Sequence, residues 1–350
     1  MKRTISIILS LIMVLTIIPM AVSVSAYTLK GKCGKNVKYS FNSSNGKLTI
    51  SGTGKMFNDG LGDLTSCSYD VSSEIKTVII KNGVTSIGNN AFSSCSSLKS
   101  VTIPNTVTSI GNSAFWGCCS LTNITIPKSV KSIGDSTFEW CDKLKIVKLG
   151  KKVKKIGNRA FGECTSLKSI TIPNSVTKIG ACTFQYCDKL KIVKLGKKVK
   201  SIGNWAFDDC TSLKNIKVDK KNKNFTSKKG VLFNKKKTKI ICYPAGKTAK
   251  SYKIPNSATS IGDWAFCRCS KLKTVKFGKN VKKIDKGAFY GCKKLKTVTI
   301  PKNVKKIGNS AFGFDGYEYS YKLKGFTIKG KKGSAAEKYA NKNGFKFIVV

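Results

Sequence analysis

The chain contains no histidine. That absence removes the usual general base at neutral pH, the commonest metal ligand and every Ser/His or Cys/His arrangement. Arginine is nearly missing as well: of 65 basic residues only Arg3, Arg159 and Arg268 are arginine. Lysine is a solvated point charge without the planar fork that reads phosphate or base edges, so sequence-specific nucleic-acid recognition is not expected, while salt-sensitive attachment to polyanions is. Acids are scarce, 17 in 350 residues, and the one adjacent pair, Asp208 and Asp209, reads as surface solvation at a turn rather than as a general acid and base. No glycine loop suited to phosphate is present, because the Ile-Gly pairs fall at repeat corners. Cys118-Cys119 and Cys267-x-Cys269 lack the paired ligand sets of a zinc site. No enzyme, cofactor or metal site is expected.

What the sequence has instead is a repeat. Leu98, Leu121, Leu144, Leu167, Leu190 and Leu213 fall 23 residues apart, and Leu272 and Leu295 resume that step after a 36-residue insertion. Phenylalanines from Phe92 to Phe312 and cysteines from Cys95 to Cys292 keep the same phase. A period of this length with a leucine framework predicts an α/β repeat fold, a leucine-rich-repeat solenoid of short parallel strands and short helical turns. Within Leu98–Ser120, Leu98, Val101 and Ile103 alternate with polar Ser100 and Thr102, the pattern of a strand buried on one face. Pro104 ends it, Val107 and Ile110 turn inward, and Gly111 suits a corner where a side chain would strain the backbone. Ala114, Phe115 and Cys118 have the spacing of one helical turn. No coil can bury its apolar side alone, so coils stack with their strands parallel at roughly 4.8 Å, and the phenylalanines become a continuous internal spine.

The unit Leu-x-x-Val-x-Ile-Pro-x-x-Val-x-x-Ile-Gly-x-x-Ala-Phe-x-x-Cys resembles that of the BspA-like bacterial leucine-rich-repeat proteins, from about Ile75 to Leu323. Flanking segments at 31–40, 48–54 and 333–340 are similar to that family's too. The resemblance implies an exported, non-enzymatic surface or secreted protein, in a family where several members act in adhesion to host matrix or other cells.

Taken in order, Lys2 and Arg3 precede an apolar run from Ile5 to Val22, and Val24-Ser25-Ala26 forms a small-residue cleavage site, so residues 1–26 read as a secretory signal peptide. A retained membrane helix is the alternative, but the run is short for a span and no basic stop-transfer patch follows. Residues 27–73 lack the repeat; Val37, Tyr39 and Phe41 alternate, Asn45-Gly46 predicts a hairpin turn, and Leu48 and Ile50 return, making a β-rich cap on the first coil. Asp59 to Asp70 reads as a mobile loop within it. The solenoid then runs over 74–323, interrupted at about 219–254 by a lysine-rich hairpin with strands at Val231–Phe233 and Lys239–Tyr243. Residues 141–154 and 187–200 are one string, CDKLKIVKLGKKVK, offset by 46, so the array has grown by duplicating pairs of coils. Over 324–350 a helix-strand cap is expected: Ser334 and Glu337 have capping-box spacing, Ala335–Asn341 suits a helix, Gly344 ends it, and Phe345, Phe347 and Val349 alternate as a last strand. No sortase-type motif follows, so a covalent wall anchor is not expected.

Fourteen cysteines in an exported chain would ordinarily suggest disulfides. Eight of them, however, share the phase of the core phenylalanines, where a free thiol behaves as a small apolar residue, and parallel Cα–Cβ vectors on stacked coils do not suit a disulfide torsion. Cys33 and Cys67, outside the array, are the pair best placed to bridge.

A net charge of +48 must attract anions. The expected function is a secreted or surface binding protein presenting a cationic face to host matrix, glycans, cell-wall polymers or other cells; a structural or charge-retained envelope protein without a specific ligand is the alternative. Two sets of candidate ligand-binding residues follow from the repeat. Lys131, Lys154, Lys200, Lys282 and Lys305 share one repeat position and should stack into an interrupted stripe. Ile146 and Ile192 occupy an outward strand position that is otherwise polar, each followed two residues later by Lys148 or Lys194, so each pair offers an apolar anchor beside a cation.

Overall fold

The computed structural model describes residues 25–58, 71–316 and 320–350. The signal peptide before Ser25, the loop Asp59–Asp70 and Cys67, with its pairing to Cys33, lie outside the described residues.

Each 23-residue coil contributes two strands, and the repeat period sets how they pair. The first strand of a coil aligns in parallel with its equivalent in the next, so that Asn123, Ile124 and Thr125 face Ile146, Val147 and Lys148. The second, two residues long, does the same: Ser132–Ile133 lies between Ser109–Ile110 and Lys155–Ile156. Because pairing partners are one period apart, every repeat position stacks on itself and the chain is a parallel β-solenoid. These second strands form a seven-stranded ladder from Gly54–Lys55 to Ser201–Ile202.

The third side of the coil departs from the sequence expectation. Ala-Phe-x-x-Cys does not form a helical turn. Its backbone instead bonds outward to the next coil: Ser113, Phe115 and Gly117 donate their N–H groups to the carbonyls of Asp135, Thr137 and Glu139 at 2.8–2.9 Å. Those donors are therefore not available for helical i→i−4 bonds. Two left-handed residues per coil make this geometry, one series at Asn90, Ser113, Ser136, Arg159, Cys182 and Trp205, the other at Ser94, Gly117, Trp140, Glu163, Tyr186 and Asp209. Among the described residues the one α-helix is Ala335–Asn343.

Inside, Phe92, Phe115, Phe138, Phe161, Phe184 and Phe207 stack face to face with centroids 5.2–5.8 Å apart and ring planes within 20°. Each buried array cysteine does more than fill space. Cys118, Cys141, Cys164, Cys187 and Cys210 donate their thiols to the carbonyl of the phenylalanine 26 residues earlier, at 3.0–3.2 Å, tying each coil to the one before. Burial pushes these thiols well above their ordinary pKa, which keeps them protonated and unreactive. The corner glycines act by proximity and not by a left-handed backbone: a Cβ on Gly134 would lie 2.6 Å from backbone atoms of Gly111 and Asn112 in the previous coil.

At the N-terminus three antiparallel strands, Thr28–Gly34, Val37–Asn42 and Lys47–Gly52, pass the last of them in parallel to Thr77–Ile80 of the first coil. The hairpin turn expected at Asn45-Gly46 joins the second and third strands; it is four residues long, closed by the pair Asn42 and Lys47, with Gly46 left-handed. At the C-terminus Thr327–Gly330 and Lys346–Val349 extend the parallel ladder beyond Thr297–Thr299. The helix between them ends at left-handed Gly344, but its N-terminus lacks the capping box: Ser334 makes no side-chain cap, and the Glu337 carboxylate accepts the Gly333 N–H at 2.6 Å.

The insertion is more than a hairpin. It adds a third strand, Phe225–Lys228, and its last, Lys239–Cys242, joins the parallel ladder beside Ser260–Ile261. Tyr243 then takes a phenylalanine's place, stacked 4.9 Å from Phe266. Buried Asn222 fixes the segment to the preceding coil, donating to the Gly196 and Val199 carbonyls and accepting from the N–H groups of Asn224 and Phe225. The insertion thus replaces a coil, and the two halves of the hydrophobic core meet at Val231 and Leu232.

Two outcomes follow from this packing. Phe161→Ala should destabilise the fold by about 3–5 kcal/mol, because removing one ring leaves a cavity between two others; denaturant unfolding reads this, and a change within error would mean the ring is not buried. The array thiols should resist alkylation in the folded protein and react once it unfolds, as mass spectrometry of the labelled chain would record.

Candidate binding faces

On the first-strand face the outward column runs through Ser100, Asn123, Ile146, Ser169, Ile192 and Asn215. The two isoleucines differ. Ile192 is half-buried in the middle of a three-stranded ladder, between Ser169 and Asn215. Ile146 is 51% exposed, because the ladder is interrupted between Ile146–Lys148 and Ser169–Thr171. The interruption opens a shallow groove of about 720 Å³, lined by Ile146 and Lys148 together with Lys145, Lys151, Ser169 and Thr171. Ile192 and Lys194 do not line it, although Lys194 is exposed on the same face.

Around the corner, backbone bonds of 2.8 Å join Lys131 to Thr108, Lys154 to Lys131, Thr177 to Lys154 and Lys200 to Thr177. After the insertion the column resumes with Lys282 bonded to Thr259 and Lys305 to Lys282. All five lysines are exposed. None forms an ion pair among the described residues.

The turn edge has the opposite character. In the turn segments of the six coils between residues 88 and 212, seven carboxylates stand against three basic groups, although the chain as a whole is +48. Glu163 registers the local field: partial burial first, then Glu139, Asp188 and Asp142, push its carboxyl up to about 7. All four tryptophans lie on this edge. Trp116, Trp140 and Trp205 are 38–46% exposed, and Trp264 is half-buried. The signal for this edge was in the sequence, since each tryptophan stands within two residues of a spine phenylalanine.

Asp208 and Asp209 are not solvated turn residues. Asp209 is buried and takes the Arg268 Nε at 3.0 Å, while Asp208 accepts from the Gln185 amide at 3.2 Å. Arg268 continues to Asp315, which also holds Lys293 and the Tyr321 hydroxyl. This network crosses the place where the repeat is interrupted, and a buried carboxylate there requires its paired cation.

A family model described as the BspA type leucine rich repeat region, six copies, matches residues 63–191, 131–246 and 242–330. No curated protein matches the sequence significantly. Among solved structures, the chain is similar to a leucine-rich repeat protein from Eubacterium ventriosum, at 27% identity over 87% of this chain and 73% of that one, with a TM-score of 0.63. It is also similar to a leucine rich cell surface protein from Faecalibacterium prausnitzii, at 25% identity over 87% and 88%, with a TM-score of 0.53.

The two isoleucines should respond differently to threonine. Ile146→Thr should leave stability within about 0.5 kcal/mol, and Ile192→Thr should cost measurably more in denaturant unfolding. Glu163 gives a pH signature. Its folded pKa lies above its ordinary 4.5, so ionisation is disfavoured in the fold, and stability falls as pH rises from there to about 7. Glu163→Gln should therefore raise the melting temperature above about pH 7 and leave it unchanged below the ordinary carboxylate range; equal effects at both would refute the local field.

Proposed function

The chain belongs to the BspA-type leucine-rich-repeat family, and from that premise we propose that it is an exported binding protein whose lysine-columned side engages extracellular polyanions. The observation that carries this reading is the column Lys131, Lys154 and Lys200, resumed by Lys282 and Lys305, held at coil spacing without carboxylate partners. Stacked strands fix the backbone beneath each lysine, so the charges form a linear array interrupted at Thr177 and at the insertion, which suits a sulfated or carboxylated polymer lying along the solenoid. The groove at Ile146 and Lys148 adds an apolar contact beside cations, and Ile192 and Lys194 extend the same face two coils away.

Export is supported by the basic start, apolar run and small-residue site over residues 1–26, and by likeness to a relative described as a cell surface protein. Among the described residues no helix is long and apolar enough to cross a membrane. Binding to matrix, glycan or another cell, not catalysis, is the role that a repeated surface of this kind serves.

Replacing all five column lysines by glutamine should weaken retention on immobilised heparin and flatten its dependence on salt, since fewer counterions are released on binding. Unchanged retention would leave the column without a role. Ile146→Thr should weaken whatever binding survives high salt, where charge attraction is screened within about 3 Å. A protein that binds no partner at physiological salt would point to the envelope-structural alternative.

A further inference from the structure

The interrupted coil leaves a notch on the turn edge. Where other coils continue through Phe-x-x-Cys, this one turns away at Tyr243-Pro244, and the flanking coils meet across the gap through Trp205 and Trp264, whose rings lie 5.6 Å apart at 50°. Two adjoining recesses of about 240 and 210 Å³ open here, sharing Trp205, Asp208, Trp264 and Cys267 as walls. Both tryptophans are left-handed, with φ of 56° and 57°, at a repeat position that Asn90 and Gly287 fill elsewhere at lower steric cost. The left-handed backbone belongs to this position in every regular coil, and here it carries an indole on both sides of the gap.

The polar side of the notch is incomplete. Asp208 Oδ1 and Gln185 Oε1 are buried acceptors without a hydrogen-bond partner, although the other ends of the two side chains bond each other at 3.2 Å. The Cys267 thiol, a weak donor, lies against Asp208. Buried acceptors left unpaired are destabilising, so two of them on side chains that line one aromatic recess call for a ligand that brings two donors.

We propose that this notch binds one pyranose unit of a neutral sugar, its C–H face on the Trp205 and Trp264 indoles and two neighbouring hydroxyls donating to Asp208 and Gln185. An ammonium group could also donate to Asp208 and sit on an indole face, but a lone ammonium head leaves recesses of about 240 and 210 Å³ largely empty, whereas a pyranose ring fills that space. The site lies on the turn edge, uses none of the column lysines and does not depend on the polyanion reading.

Tryptophan fluorescence of the full chain tests it, titrated with galactose, lactose, N-acetylglucosamine and its β1,4 disaccharide, with lysine amide as the cationic control. At about 1 M salt, where charge attraction is screened, at least one sugar should give a saturable change. Asp208→Asn, which preserves shape, and Trp205→Ala, at an exposed position, should each weaken that binding about tenfold or more, while Trp116→Ala should not. Thermal melting of each variant at the wild-type temperature shows that binding, and not folding, was lost. No response to any sugar, a response to lysine amide alone, or binding unchanged in both notch variants would overturn the proposal.

Discussion

The stacking of one inward ring per coil is the interaction on which the rest of the structure depends. A single coil of 23 residues presents its phenylalanine to solvent on both sides; only between two neighbours, with centroids 5.2–5.8 Å away, is it fully covered. Burying an aromatic side chain contributes on the order of 2–3 kcal/mol, and that gain recurs at every coil. The cysteine thiols and corner glycines serve the same contact, one by donating to the previous coil's phenylalanine carbonyl, the other by letting two backbones approach where a Cβ would not fit. Stability is thus shared between neighbours, and the array tolerates duplication.

That constraint also writes the surface. Because each position stacks on its own equivalent, a single lysine in the repeat becomes a column of lysines, and a single carboxylate becomes part of an edge. The strand corner accumulates Lys131, Lys154 and Lys200, while the turn edge accumulates carboxylates that add to partial burial in pushing up Glu163 within a strongly basic protein. The same repeat thus carries surfaces of opposite character, since the lysine column and the acidic turn segment occupy different positions of each coil. The insertion interrupts the stacking of coils, and the break brings Trp205, Trp264, Asp208 and Arg268 together.

How much of this was legible in the sequence varies with the physics involved. Positions fixed by periodicity, the leucines, phenylalanines and cysteines, could be read as core because a 23-residue step leaves little freedom. The turn could not. Ala-Phe-x-x-Cys has the i, i+3 spacing of a helix, and nothing in Ser113 or Arg159 announces a left-handed backbone whose N–H groups bond the next coil. Gly111 and its equivalents were recognisable as glycine-requiring, yet the reason, contact between coils, depends on geometry that a single coil does not contain. Phe225–Lys228 is polar enough to pass for loop, and Asn222 looks like any surface amide until four backbone groups are seen around it. The candidate lysines were readable as a column from phase alone, whereas the difference between Ile146 and Ile192 lies in where the ladder breaks. Asp208 and Asp209 gave no sign of partners, because Gln185 lies one coil back from Asp208, and Arg268 is 59 residues beyond Asp209 and reaches it only across the insertion.

The central claim, that coils are interchangeable units stabilised by their neighbours, is tested most directly by removing two of them. Deleting residues Cys141–Tyr186 joins Trp140 to Cys187, where the sequence resumes with the identical string CDKLKIVKLGKKVK, so the strand contacts across the junction repeat ones already present, and the added change Glu139→Gln restores on the turn edge the pair that Gln185 makes with Asp208. Small-angle X-ray scattering and calorimetry on the shortened protein should show a folded, cooperatively unfolding solenoid about 10 Å shorter than the parent, two coil rises of about 4.8 Å. A chain that fails to fold, or folds without shortening, would contradict the account.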